Sequence, residues 1–139
     1  NRRVLVASPE WVVQNGAPQT PDDLTQLNAM TFVLRGRLHD RWTFTRNGEV
    51  SSVQVNSTFM SDDAEVIRRL AIAGEGIAYK SWLDVSEDVR DGRLQLLMPD
   101  YQGEKVPLNM ICPHRKQLST AVRLLHDAVK VRCETLAQS

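Results

Sequence analysis

The chain has 139 residues, 42% of them apolar, and a formal net charge of zero. That length suits one domain of ~100–200 residues, and the apolar content suffices for a core, which excludes an intrinsically disordered chain. A neutral chain with scattered basic residues lacks the face that neutralises phosphates, which argues against nucleic-acid binding by this segment.

No apolar run approaches the ~18 residues of a helical membrane span. Asn1-Arg2-Arg3 leads straight into a strand-like run, so no signal peptide is visible. Cys112 and Cys133 have no metal-ligand spacing and make no disulfide framework. They read as buried thiols in a reducing, cytoplasmic compartment.

Residues 4–7 form a short apolar strand. Ser8-Pro9-Glu10 opens a helix. Ser8 is the N-cap, Pro9 fits the first helical position, and Glu10 sits at the positive end of the dipole. Trp11, Val12 and Val13 give that helix its apolar side, and Gly16 ends it. Thr20-Pro21-Asp22-Asp23 repeats the device for a short helix through Leu24 and Leu27. Residues 30–34 read as a strand, 35–40 as a polar loop around Gly36, and 42–45 as another strand. Asn47-Gly48 is a hairpin turn, because that pair accepts positive φ, and residues 50–55 return from it.

Residues 53–80 read as strand, turn, helix, glycine turn, strand. Val53 and Val55 alternate with Gln54, the period of a half-buried strand. Ser61 and Asp62 offer capping oxygens, and Glu65 follows Asp62 at capping-box spacing. Val66, Ile67, Leu70 and Ala71 make one apolar face, Glu65 and Arg69 pair on the outside, and Gly74 stops the helix. The unit is a right-handed βαβ crossover of a parallel or mixed sheet. Residues 81–85 begin another short helix, closed by 88–92. Leu94, Leu96 and Leu97 mark a brief extended stretch, 101–105 a polar loop and 107–112 an apolar strand. From Lys116 the pattern is helical, with Leu118, Val122, Leu125 and Val129 on one stripe.

Catalytic constellations are lacking in this pattern. His39, His114 and His126 have no consistent spacing to a carboxylate, serine or cysteine. Ser8 precedes a proline, unlike a nucleophile elbow, and Gly74-Glu75-Gly76 follows a helix instead of opening one. The sequence calls for no catalytic residue, no metal and no cofactor.

Taken in order, the pieces resemble the effector-binding domain of LysR-type transcriptional regulators. The resemblance rests on residues 6–11 (VASPEW), 16–24 (GAPQTPDDL), Trp42-Thr43-Phe44 with the Asn47-Gly48 turn, and Ser61-Asp62-Asp63. It continues through residues 73–78 (AGEGIA), Gly92-Arg93-Leu94 and residues 113–119 (PHRKQLS). It implies an α/β fold like that of type II periplasmic binding proteins, with two lobes joined by two crossing strands. On that analogy residues 1–7 are a crossover strand from lobe one, 8–104 form lobe two, 105–112 (chiefly 108–112) return, and 113–139 carry a helix, about 117–136, that packs on lobe one. The family's DNA-binding domain and most of lobe one lie upstream of Asn1, so a longer native polypeptide is expected, with DNA bound only through that missing domain.

The same resemblance implies a small-molecule effector in the cleft and a homodimer or homotetramer, with the helix after Asp62 as a candidate interface. Two places can line the cleft: Ser8 and Pro9 at the end of the first crossover strand, and Ser57, Thr58, Phe59, Met60 and Ser61 before the central helix. Hydroxyls and free N–H groups there can hold a polar group. Ile111 and Cys112 on the return strand complete the set. Arg35, Arg37 and Arg41 read as a solvated loop. The alternative is a solute-binding protein or an enzyme subunit on the same fold.

Overall fold

The computed structural model of the protein describes residues 1–106. The expected strand at 108–112, the helix at 117–136, and Ile111, Cys112 and Cys133 fall outside the described residues.

Along the chain come β1 (Arg3–Ala7), α1 (Pro9–Asn15), a 3₁₀ helix (Pro21–Gln26), β2 (Asn28–Leu34), β3 (Arg37–His39), β4 (Arg41–Arg46) and β5 (Glu49–Gln54). β6 (Asn56–Ser61), α2 (Ala64–Ile72), β7 (Ile77–Ser81), α3 (Trp82–Arg90) and β8 (Gln95–Leu96) follow. The helix starts at α1 and at the 3₁₀ helix stand where capping chemistry predicts them. Ser8 Oγ accepts the Trp11 N–H at 3.1 Å. Asp23 reaches back to the N–H groups of Gln19 and Thr20, which hold its carboxyl below the usual range.

The main sheet runs β3-β2-β7-β1-β8, with β6 also on β2. β2 is parallel to both β6 and β7, whereas β1 is antiparallel to β7 and β8. Alternation of side chains sends Leu5, Ala7, Ala29, Ile77 and Tyr79 to one face and Val6, Met30 and Ala78 to the other. The first face is covered by Trp42, Phe44 and Val53 of the β4–β5 ribbon, with Trp11 and Leu24. The second is covered by Ile67 and Ala71 of α2, Val85 of α3, and Leu94. Each large side chain buried this way stabilises the fold by ~1.5–3 kcal/mol.

Two expectations need correcting. The strand that feeds α2 is β6, not the run around Val53, which belongs to the ribbon. Ser57–Ser61 are therefore strand residues, not a turn between strand and helix. β6 joins the sheet through one edge only among the described residues, so most of its side chains stay in solvent and no apolar alternation marks it. The βαβ unit survives as β6-α2-β7, with β2 lying between its two strands. The polar segment after Leu34 is likewise β3, paired antiparallel to β2. Its turn is Arg35-Gly36, both at positive φ (52° and 76°), which matches Asn47-Gly48 (52° and 80°) in the ribbon.

Candidate functional site

Register separates the sheet into two ends. Arg3 lies opposite Ser81 and Val6 opposite Ala78, while Ala29 lies opposite Ile77 and Phe32 opposite Ser61. The carboxyl ends of β2, β6 and β7 therefore gather with the start of β1. Their amino ends gather with the end of β1.

The amino end is closed. Ser8 is fully buried there, and a Cβ on Gly74 (φ 85°) would sit 3.2 Å from Ser8 Oγ. A Cβ on Gly76 would meet the Asn28 carbonyl oxygen at 2.5 Å, so only glycine lets the chain pass. Pro9 is the first residue of α1. Ser57 shares a hydroxyl–hydroxyl hydrogen bond with buried Thr31. The register slips at Thr58, whose hydroxyl donates to the Ala29 carbonyl at 3.3 Å.

The carboxyl end is where α2 and α3 begin. Phe59 and Met60 leave 41% and 55% of their surface in solvent. Ser61 Oγ accepts from the Asp63 N–H at 3.0 Å, and Asp63 Oδ1 accepts from the Glu65 N–H at 2.9 Å. Asp63, not Ser61 or Asp62, is thus the cap of α2. The sheet brings Phe59, Met60 and Ser61 together at this end. Ser8 and Pro9 stand at the other, so the two segments do not converge. The Arg35-Gly36 turn follows Leu34, two residues past the Phe32–Ser61 rung, and overhangs this end with Arg35 and Arg37 exposed.

The start of α3 is held from far away. Its N-cap, Ser81, makes no side-chain capping bond. The Trp82 N–H donates to the Arg2 carbonyl at 2.8 Å, and the Leu83 N–H donates to Asn1 Oδ1 at 3.3 Å. Asn1 Nδ2 in turn donates to Ser81 Oγ at 2.9 Å. Lys80 is buried between the helices. Its Nζ donates to the Ala64 carbonyl of α2 at 2.7 Å and pairs with Asp84 of α3 at 2.6 Å.

Farther along, buried Asp88 of α3 accepts both Nε and Nη2 of Arg68 on α2, at 2.7 and 2.8 Å, and Arg93 Nε at 2.9 Å. Burial opposes ionisation of Asp88, but those two guanidinium groups outweigh it and hold the carboxyl below its usual range. The contacts that join α3 to α2, Arg68 to Asp88 and Lys80 to the Ala64 carbonyl, do not show in the sequence, because their partners lie 20 and 16 residues apart along it.

Both chain segments that bound the described region meet at the same end. The Arg3 N–H donates to the Glu104 carbonyl at 2.7 Å, and the Val106 N–H donates to the Asn1 carbonyl at 3.0 Å. Tyr79 pins the pair: its hydroxyl accepts from the Glu104 N–H and donates to the Thr43 carbonyl, each at 2.7 Å. Burial pushes the Tyr79 phenol up to about 12. Gly103 is obligatory in this crossing, since a Cβ would fall 2.0 Å from the Arg3 oxygen.

This end brings together two helix N-termini, a serine hydroxyl and an exposed aromatic–thioether pair. Among the described residues no group of three or more His, Cys, Asp and Glu side chains could hold a metal, and no helix is long and apolar enough to cross a membrane.

The model of the LysR substrate binding domain matches residues 1–134. The chain belongs to this family. The LysR-type relatives include the HTH-type transcriptional regulator DmlR of Escherichia coli K12, 30% identical over 138 residues, 99% of this chain and 42% of that protein. The HTH-type transcriptional activator TtdR of the same strain is 29% identical over 124 residues, 89% of this chain and 39% of that protein. This LysR-type chain thus spans about two fifths of the length of these curated relatives.

Solved regulatory domains of the family share the fold. That of AphB from Vibrio vulnificus covers 94% of this chain and 64% of its own, at TM-score 0.65 and 24% identity. That of CrgA from Neisseria meningitidis, a LysR-type transcriptional regulator, covers 95% and 65%, at TM-score 0.67 and 20% identity. The expected type II periplasmic-binding-like architecture is therefore the architecture of the family to which the chain belongs.

Proposed function

We propose that residues 1–106 are chiefly lobe two of the sensor domain of a longer, cytoplasmic LysR-type regulator. In this reading the sheet's carboxyl end is the wall of an interlobe cleft that binds a small-molecule effector. The observation that carries it is the pairing of residues 1–3 with 104–106. Two neighbouring segments, joined by the Arg2–Lys105 bridge, carry the chain into and out of the lobe beside the start of α3, as the crossover segments of a hinge would. Phe59, Met60 and Ser61 are the wall residues. Ser8, Pro9, Ser57 and Thr58 serve the lobe's own packing. Ile111 and Cys112, outside the described residues, are proposed as effector contacts alongside the wall residues.

Effector binding would favour one arrangement of the lobes, and only a difference in affinity between arrangements shifts their populations. The exposed face of α2, including Val66, is the surface that a second copy would cover in a homodimer or homotetramer. DNA binding would belong to a helix-turn-helix domain upstream, and the names of DmlR and TtdR support that placement.

The test is a thermal-shift screen of small metabolites on the full-length regulator, because a ligand that binds the folded state raises its stability by mass action. The reading expects a metabolite whose shift is lost in Phe59→Ala or Ser61→Ala, while the unliganded melting temperature stays within about 2 °C of the parent, as for surface substitutions. A metabolite whose shift survives both substitutions would place the ligand elsewhere. A full-length chain without a helix-turn-helix domain would overturn the regulator reading.

A further inference from the structure

A helix normally supplies its own cap: a side chain at the residue before the first turn satisfies N–H groups that have no partner within the helix. α3 departs from that rule. Ser81 stands in the capping position and makes no such bond. The first two N–H groups of α3 go instead to Asn1 and Arg2, roughly eighty residues earlier, just before β1 where the chain enters the lobe. Asn1 Nδ2 also binds Ser81 Oγ, so one side chain grips the helix start through both its donor and its acceptor.

α3 is also fastened to α2 at two heights. Lys80 ties the Ala64 carbonyl to Asp84 near the two starts. Arg68 and Asp88 make a bidentate pair along the helices, with Asp88 fully buried. Such planar, charge-assisted pairs fix orientation as well as distance. α2 and α3 therefore form one clamped unit, whose attachment at the hinge end is the cap from Asn1 and Arg2.

We infer that Asn1 is a coupling residue: by capping α3 from the entering crossover strand, it transmits a change in the hinge through the Asp88–Arg68 clamp to α2. This deepens the sensor reading and rests on it, since a hinge matters only if a second lobe moves on it. A twist of the crossing strands that draws Asn1 and Arg2 away would leave the first turn of α3 uncapped. The clamp passes that loss to α2, whose outer face is the proposed meeting surface between copies. Asn1 acts as a positioning residue and touches no effector.

The test uses the full-length regulator, without ligand, and hydrogen exchange read by mass spectrometry. Losing a cap costs about a factor of five in local stability. Asn1→Ala is expected to speed exchange about fivefold in residues 85–90, and by a comparable factor in residues 67–72 of α2. Asn1→Asp keeps the oxygen that accepts the Leu83 N–H and is expected to restore much of the protection. Measured against Arg68→Gln alone, adding Asn1→Ala is expected to speed exchange in α2 less than Asn1→Ala does in the parent, because only the Lys80 tie then joins the helices.

Faster exchange confined to α3 would overturn the inference, because the cap would then be local. So would unchanged exchange in both helices. Neither result bears on whether the cleft binds a metabolite, which the thermal-shift screen decides separately.

Discussion

α1 and α3 are helices of nearly equal length that start in opposite ways. α1 is capped by the residue next to it: Ser8 accepts the Trp11 N–H, Pro9 sets the first φ, and the whole device occupies a few consecutive residues. α3 is capped by the far end of the region, through Asn1 and Arg2. The first arrangement gives an element whose start is independent of the rest of the fold. The second gives an element whose start exists only while the entering strand holds its place. α1, at the closed amino end of the sheet, and α2, at the end where the chain enters and leaves, use the first kind; α3, beside α2, uses the second.

Asp88→Ala tests the comparison hardest. It strips Arg68 and Arg93 of their shared partner and unfastens α3 from α2. We expect a loss of about 3 kcal/mol, the lower end for a broken buried pair because both guanidinium groups keep some solvent. Urea unfolding would measure it, with the midpoint falling at unchanged slope. The pH dependence follows from the same group. The folded pKa of Asp88 lies below the unfolded value, so the carboxylate's contribution is present above about pH 4 and is lost as pH falls through the folded value. Asp88→Asn should flatten that acid limb of the stability profile.

Tyr79→Phe comes next, with an expected cost of about 1–2 kcal/mol, since it leaves the Thr43 carbonyl and the Glu104 N–H without their shared partner. Here the sign is reversed. The folded phenol titrates at about 12, above its unfolded value of about 10, so the parent protein loses stability as pH rises between them. Tyr79→Phe should remove that alkaline loss, which alkaline thermal melts would detect.

Ser8→Ala should cost about 1 kcal/mol. By hydrogen exchange its effect should stay within α1, in contrast to the spread expected for Asn1→Ala. The smallest change has the opposite sign. Ser86 Oγ is buried in α3 and has no hydrogen-bond partner among the described residues. Ser86→Ala removes an unsatisfied hydroxyl and improves helix propensity, so a gain of about 0.5–1 kcal/mol is expected in the unfolding midpoint. A loss would mean that the hydroxyl has a partner which Asn1 and the clamp do not account for.

Much of the fold was legible because its signals are local. Ser8-Pro9, Asn47-Gly48, Gly74 and the alternation of Trp42 and Phe44 each mark a boundary or a face through residues a few positions apart. β3 and β6 were missed for one physical reason. An edge strand with exposed side chains shows no apolar period, and Arg35-Gly36 does the work of a hairpin turn without the residue pair that usually announces one. The candidate site was half legible. Phe59 and Ser61 fall at the end of the sheet where α2 and α3 begin, but Ser8 does not, because β1 runs antiparallel to its neighbour and carries its last residues to the opposite end.

By itself the sequence determined the class of fold, the family, most of the elements and the local caps, since each depends on the order of neighbouring side chains. Tertiary structure alone decided which ends of the strands share an edge, that Asn1 and Arg2 cap α3, and that Lys80 and Asp88 fasten it to α2. Those are contacts between residues distant along the chain. Strand direction and pairing bring them within hydrogen-bonding range, and no local pattern of residues encodes that.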